Sequence, residues 1–260
     1  IIHRGGTVLY TARSPEFKTE EGMQKAIATC KKYNIDGCVV IGGDGSYRGA
    51  RDLSLRGIPC IGIPGTIDND ISCTDYTIGF DTAMNTAVEM IDKIRDTSQS
   101  HERCTVCEVM GRNCGDIALH TGIAVGATCI LVPEVECTFE QIVTKINKGQ
   151  ASGKKHFIIV VAEGIGGVDE LAKKIEKATG IESRASILGH VQRGGNPSVR
   201  DRVCASAMGS VAVSLLEKGI GNRVIALKDN KIVDFDIYEA LQMKKEFEFD
   251  LYEIAHEIGI

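Results

Sequence analysis

Strand-length apolar runs alternate with longer amphipathic stretches along nearly the whole chain. Parallel strands are joined by crossover helices and are buried on both faces, so this alternation specifies an α/β fold with mostly parallel sheets. The apolar runs are Cys38–Ile41, Cys60–Ile63, Cys104–Val109, Cys129–Val132, Phe157–Ala162, Ala185–Leu188 and Val224–Leu227. Between them, spacing and caps predict helices. The first has Thr19 as N-cap, Glu20 and Glu21 in its first turn, and ends near Tyr33. Others cover about 46–56 and 80–96, one ends at Val125, and one follows the capping box of Thr138 and Gln141 to about Ser152. Glu170–Thr179 closes at Gly180, and two more cover about 199–218 and 251–257. Asp229-Asn230 reads as a turn into Ile232-Val233. No repeat or low-complexity linker marks a domain boundary.

Charge and composition narrow the partners. A formal net charge of -5 points away from nucleic acid and acidic membranes, and 43% hydrophobic with 25% charged residues is ordinary for a soluble globular protein. No apolar run approaches the roughly 20 residues that span a bilayer, and no signal peptide is visible. The 10 cysteines are scattered, mostly within apolar runs. Cys104 and Cys107 form a lone CxxC with no second pair, so buried thiols in a reducing cytoplasm are expected rather than disulfides or zinc. The chain opens at Ile1 without an initiator Met, which reads as a fragment or processed chain that has lost an N-terminal segment.

Ligands of doubly wound sheets bind at the carboxyl ends of strands. There this sequence places Gly42-Gly43-Asp44-Gly45-Ser46, Pro64-Gly65-Thr66-Ile67-Asp68-Asn69-Asp70, Met110-Gly111-Arg112, Glu163-Gly164 and Gly189-His190-Val191-Gln192-Arg193-Gly194-Gly195. Glycines before a helix let backbone N–H groups approach a polyphosphate, and a carboxylate among them suits Mg²⁺ bridging to phosphate. Asp44 is that carboxylate; alone, the turn is a weak signal that reads first as a tight turn capped by Asp44, and it becomes strong joined to the next loop. In the second loop Asp68 is the candidate base for an attacking hydroxyl, Thr66 a donor, and Asp70 an orienting group. A solvated Asx turn is the plain alternative. Arg103, Arg112, Arg184, His190 and Arg193 fall at or near strand ends and as a group suit phosphate binding.

These motifs, in this order and spacing over the whole chain, resemble the bacterial-type 6-phosphofructokinase family. The resemblance implies two Rossmann-like α/β/α domains with mostly parallel sheets and the active site in the cleft between them. A nucleotide-binding domain would cover 1–79 plus 192–242, and a sugar-phosphate domain 80–191 plus 243–260. It implies phosphoryl transfer from Mg-ATP to fructose 6-phosphate. Asp44 would bind the metal, and Arg13, Ser14, Gly43, Gly45 and Ser46 would lie against the nucleotide. Asp68 would be the base, assisted by Thr66, Asp70 and Arg112, with Ile67 in the same loop. The sugar phosphate would meet Met110, Gly111, Arg112, Glu163, His190, Val191, Gln192 and Arg193. Arg103 and Arg184 would reach into a neighbouring subunit of a homotetramer. An effector site for ADP and phosphoenolpyruvate would use Arg95, Gly126, Lys154, Lys155 and His156, but Thr128 and Ser152 replace the Glu and Lys of well-known members.

Relatives that use pyrophosphate usually carry Asp at the position of Gly45 and Lys at that of Gly65, so the sequence favours ATP. The alternatives are a pyrophosphate-dependent enzyme, an inactive fragment that only binds effectors, and a lipid or NAD kinase sharing the Gly-Gly-Asp-Gly turn. Family members also begin with a strand and a glycine-rich turn not present here, so an exposed apolar edge and face are expected.

Overall fold

Thr19 starts the first regular helix by accepting the Gly22 N–H on its hydroxyl (3.1 Å). The computed structural model describes residues 1–259. In chain order it contains α1 (Glu20–Lys32), β1 (Cys38–Gly42), α2 (Asp44–Ser54), β2 (Cys60–Pro64), α3 (Phe80–Ser100), β3 (Cys104–Val109), α4 (Asp116–Ala124), β4 (Cys129–Leu131) and α5 (Phe139–Ala151). There follow β5 (Phe157–Ala162), α6 (Val168–Thr179), β6 (Ser183–Ile187), α7 (Val199–Glu217), β7 (Arg223–Lys228), β8 (Lys231–Asp236), α8 (Ile237–Ala240) and α9 (Phe249–Ile258).

The chain forms two compact units. The first comprises Ile1–Gly79 and Asn196–Lys245, the second Phe80–Gly195 and the segment from Glu246 onward. The second and third crossings fall slightly later than the sequence suggests, for two local reasons. Gln192 accepts the Met110 N–H, which keeps the 189–193 turn with the second unit. Lys245 donates to the Asn69 carbonyl, which keeps it with the first. The last residue of the expected 243–260 segment lies outside the described residues.

In the first unit the strand order is β1-β2-β7-β8, with β1, β2 and β7 parallel and β8 an antiparallel edge. Asp229 and Asn230, both at positive φ, turn β7 into β8 as a tight hairpin. The strand after that turn is longer than Ile232-Val233, because Lys231 through Asp236 all find partners on β7. Its core joins Met23, Ile27 and Cys30 of α1 to Tyr47, Ala50 and Leu53 of α2 over Cys60 and Val224. At the opposite edge, among the described residues, β1 pairs only with β2, and Val39 and Ile41 are exposed.

In the second unit the order is β4-β5-β3-β6, all parallel. Every residue of β5 is buried, as a central parallel strand requires. Gly180 ends α6 in the left-handed conformation, and the Thr138–Gln141 capping box is formed in full. A 3-10 turn at Gly189–Arg193 follows β6; five residues are too few to show a helical period, and the sequence reading has it as loop.

All ten cysteines are free thiols. Burial pushes the thiols of Cys104, Cys107 and Cys129 up to about 12, so they are inert packing groups. No described helix is long and apolar enough to cross a membrane.

Candidate active site

In the first unit, strand register brings two loops together. Gly42 of β1 is level with Pro64 of β2, and the Gly65 N–H donates to the Gly42 carbonyl (3.0 Å). The Gly43–Ser46 turn and the Gly65–Asp70 loop therefore leave the same end of adjacent strands. A Cβ on Gly43 would sit 3.9 Å from Thr66 Cβ, so the two loops touch. Gly43, not Asp44, is the N-cap of α2; the helix begins at Asp44, two residues before the sequence reading places it. Asp44 is instead a first-turn acid, paired with Arg48 one turn on (Nε to Oδ2 2.9 Å). A Cβ on Gly45 would meet nothing within 4 Å, which leaves open space over the first turn of α2.

Among the described residues no group of three or more His, Cys, Asp or Glu is placed to hold a metal. A protein-only cage is therefore absent, but that is not how Mg²⁺ is usually held. It takes one or two carboxylates with phosphate oxygens and water, and a half-exposed Asp44 at a helix N-terminus with room above it fits that donor set.

Asp68 lies in the second loop, where its N–H donates to the Thr66 hydroxyl (3.2 Å). Asn69 follows at φ 52°, buried, and Asp70 is half-buried. Arg13 and Ser14 precede a short 3-10 turn, in which Ser14 Oγ accepts the Phe17 N–H (3.2 Å). The glycine at 65 has a packing cause: a Cβ there would lie 2.8 Å from Ile41 Cγ2. Of the two glycines weighed for donor choice, Gly45 alone leaves free space.

In the second unit, three adjacent strands deliver a second cluster. Val109 is level with Ala162, and Glu108 with Ile187, so Met110–Arg112, Glu163 and Leu188–Arg193 share one sheet end. Met110 N–H donates to Gln192 Oε1 (2.9 Å) and Arg112 N–H to Glu163 Oε1 (2.6 Å). Gly111 and Arg112 sit at φ 139° and 58°. A non-glycine residue there is uncommon, and such outliers concentrate at functional sites. Val191 is exposed and Gln192 buried beneath the same turn that carries His190 and Arg193.

Arg103 and Arg184 do not join that cluster. They flank the amino ends of β3 and β6, the opposite end of the sheet, and share Glu182 (2.7 Å to each). Proximity to a strand in sequence does not say which end a side chain occupies, and here it misleads. Among the expected effector residues, Arg95 donates to the Val125 carbonyl, beside Gly126. The Lys154 ammonium is pulled below its ordinary pKa by burial and by Arg95, and His156 by burial, Arg95 and Lys154. Arg95, Lys154 and His156 thus lie within electrostatic reach of one another. Lys155 instead pairs with Glu102 (2.6 Å) on the exposed surface. Thr128 is buried in the sheet, its N–H on the Ile158 carbonyl, and Ser152 Oγ donates to the Gly149 carbonyl.

Sequence reasoning missed several supporting residues. Arg48 was findable as an i,i+4 partner of Asp44. Tyr76, Thr77 and Asp201 carry no local signal, because Asp201 meets Tyr76 across 125 positions of chain.

The phosphofructokinase family model matches residues 1–216. The chain belongs to the phosphofructokinase family. The ATP-dependent 6-phosphofructokinase of Bacillus subtilis (strain 168) is 56% identical over 260 residues, all of this chain and 82% of that protein. Its counterpart in Bacillus licheniformis matches to the same extent. Among solved structures, the phosphofructokinase of Saccharomyces cerevisiae superposes with a TM-score of 0.85 at 33% identity, covering 93% of this chain and 36% of the yeast chain. A pyrophosphate-dependent phosphofructokinase from Marinobacter aquaeolei shares the phosphofructokinase fold (TM-score 0.82) at 22% identity.

Proposed function

We propose that this phosphofructokinase transfers the γ-phosphoryl group of Mg-ATP to the 1-hydroxyl of fructose 6-phosphate, giving fructose 1,6-bisphosphate and ADP. The observation that carries the reading is the meeting of a glycine turn at a helix N-terminus with a carboxylate loop at the ends of two adjacent parallel strands. The 56% identity to relatives named for ATP supports the donor.

Residue roles follow from this chemistry. The α2 N-terminus, with Gly43, Gly45 and Ser46, offers N–H groups and a positive dipole to the nucleotide phosphates. Arg13 and Ser14 lie beside the nucleotide. Asp44 would hold Mg²⁺, which when bound neutralises charge on the phosphates. Asp68 takes the proton of the attacking hydroxyl, Thr66 hydrogen-bonds the transferred group, and Asp70 orients the loop. Arg112 offsets charge on the group in flight. Met110, Gly111, Glu163, His190, Val191, Gln192 and Arg193 hold the sugar phosphate, so the first unit serves the nucleotide and the second the sugar. Arg103 and Arg184, remote from that cluster within their own unit, serve a neighbouring subunit of a homotetramer. Arg95, Gly126, Lys154 and His156 form an anionic effector site, with Lys155 at its margin. The free thiols suit a reducing cytoplasm.

The test is a coupled assay for fructose 1,6-bisphosphate with ATP and, separately, pyrophosphate, on the wild type and Asp68→Ala. ATP should support turnover, and the variant should lose roughly 10²–10⁴-fold in kcat. Turnover with pyrophosphate alone would overturn the donor, and full activity in the variant would remove Asp68 as the base.

A further inference from the structure

The Gly65–Asp70 loop carries the candidate base but lies outside helix and strand, apart from a bridge between Gly65 and Ile78. A general base works only when held within hydrogen-bond reach of the proton it takes, so something must fix the loop. Its brace is the segment Thr74–Gly79, which returns alongside it. Ile78 N–H donates to the Pro64 carbonyl (2.8 Å), and Asn69 Nδ2 donates to the Asp75 carbonyl (3.4 Å). Between these sits Thr77, fully buried. Its hydroxyl donates to the Thr66 carbonyl at 2.7 Å and lies 3.3 Å from Asn69 Oδ1. Thr66, two residues before Asp68, and Asn69, directly after it, are therefore tied to one hydroxyl, while the Asp68 N–H closes a turn on the Thr66 side chain.

The brace is anchored in turn. Asp201, in the first turn of α7 and 1% exposed, accepts the Tyr76 hydroxyl (2.5 Å) and the Gly79 N–H (2.7 Å) on one oxygen. Arg200 lies over the Tyr76 ring at 4.3 Å. At the other end, Thr74 Oγ1 accepts the Leu227 N–H of β7 (2.9 Å). A segment without regular structure is thus pinned on both sides of Thr77 to a helix and a strand. Burying a carboxylate this deeply is costly unless its oxygens are hydrogen-bonded, and these bonds give the cost a purpose.

We infer that Thr77 is a positioning residue for phosphoryl transfer: from a segment anchored on Asp201, its hydroxyl sets the loop that presents Asp68. The inference rests on the reading of Asp68 as the base. It predicts an effect on the chemical step and not on nucleotide binding, since displacement of a reacting group by about 1 Å costs on the order of 10²-fold.

The experiment compares steady-state kinetics and thermal melts of the wild type, Asp68→Ala, Thr77→Val and Thr77→Ser. Thr77→Val should lower kcat by roughly 10- to 100-fold per folded molecule while KM for ATP stays within about twofold. Thr77→Ser, which keeps the hydroxyl, should recover most of the rate. If Thr77→Val does not fold, the smaller Thr77→Ala takes its place in the same comparison. A rate unchanged by loss of the hydroxyl, or equal losses with Ser and with Val or Ala, would overturn the inference and leave Thr77 a packing residue. Undiminished turnover by Asp68→Ala would instead overturn the base assignment, and the inference with it, whatever Thr77 does.

Discussion

Arg112 holds a backbone conformation, φ 58°, that costs a residue with a Cβ roughly 1–3 kcal/mol. Two contacts explain how it persists. Glu163 accepts its N–H at 2.6 Å, and Gly111 before it allows a chain path closed to other residues. A Cβ at 111 would stand 2.5 Å from the Cys114 carbonyl oxygen, at a φ of 139°. Gly111→Ala should therefore destabilise the second unit by roughly 1–3 kcal/mol and raise KM for fructose 6-phosphate. Thermal melts and the coupled assay check both; an unmoved KM would show that the loop does not set the sugar site. At this scale the sequence reveals residue identities more readily than geometry. Glycine beside Asp, Thr or Arg at a strand end is visible as a pattern, whereas the support of Met110 by Gln192, 82 positions away, is not. Nor is the engagement of Arg103 and Arg184 with Glu182 at the far end of the sheet.

Elements were most legible where a local device ends them. Thr138 is such a case: its hydroxyl accepts the Gln141 N–H (3.3 Å), while Gln141 Oε1 accepts the Thr138 N–H (2.8 Å). Both are unpaired groups at a helix start that the sequence satisfies within four residues. Thr138→Ala should cost about 1 kcal/mol in the chemical denaturation of the protein, and Thr138→Ser only a fraction of that. Equal losses for the two would place the stabilisation in packing of the methyl group. The Gly180 stop of α6 and the limits of β3 and β5 are legible for similar reasons, in the first case a left-handed terminus and in the others uninterrupted apolar runs. The start of α2 was misplaced because Gly43 caps without a side chain, so no Ser, Thr or Asp marks it. The four-residue α8 and the turn at Gly189–Arg193 are too short for periodicity to show.

At the scale of the whole molecule, each sheet is assembled from strands far apart in sequence: β2 pairs with β7 across the whole Phe80–Gly195 stretch of the second unit. Parallel alternation predicts such sheets but not their order, which depends on where the chain crosses. The same long-range folding brings Arg95 of α3 within electrostatic reach of Lys154 and His156 ahead of β5, which gives the effector site proposed above a pH dependence that can be tested. Burial, Arg95 and Lys154 hold the His156 imidazole below its ordinary pKa. Folded His156 binds its proton more weakly than unfolded His156, so between the two pKa values stability rises with pH and is lost as pH falls. An oxyanion seated among these cations reverses their repulsion and returns the imidazole toward protonation. Binding then takes up a proton, and affinity strengthens as pH falls. Sulfate, which keeps its charge through this range, is the clean probe. Calorimetric titration should give tighter binding at about pH 6 than at about pH 8, approaching tenfold for each pKa unit the anion restores. His156→Gln should abolish most of that difference while Arg95 and Lys154 still support binding. A pH dependence retained in His156→Gln would assign the proton to another group and detach His156 from the anion site.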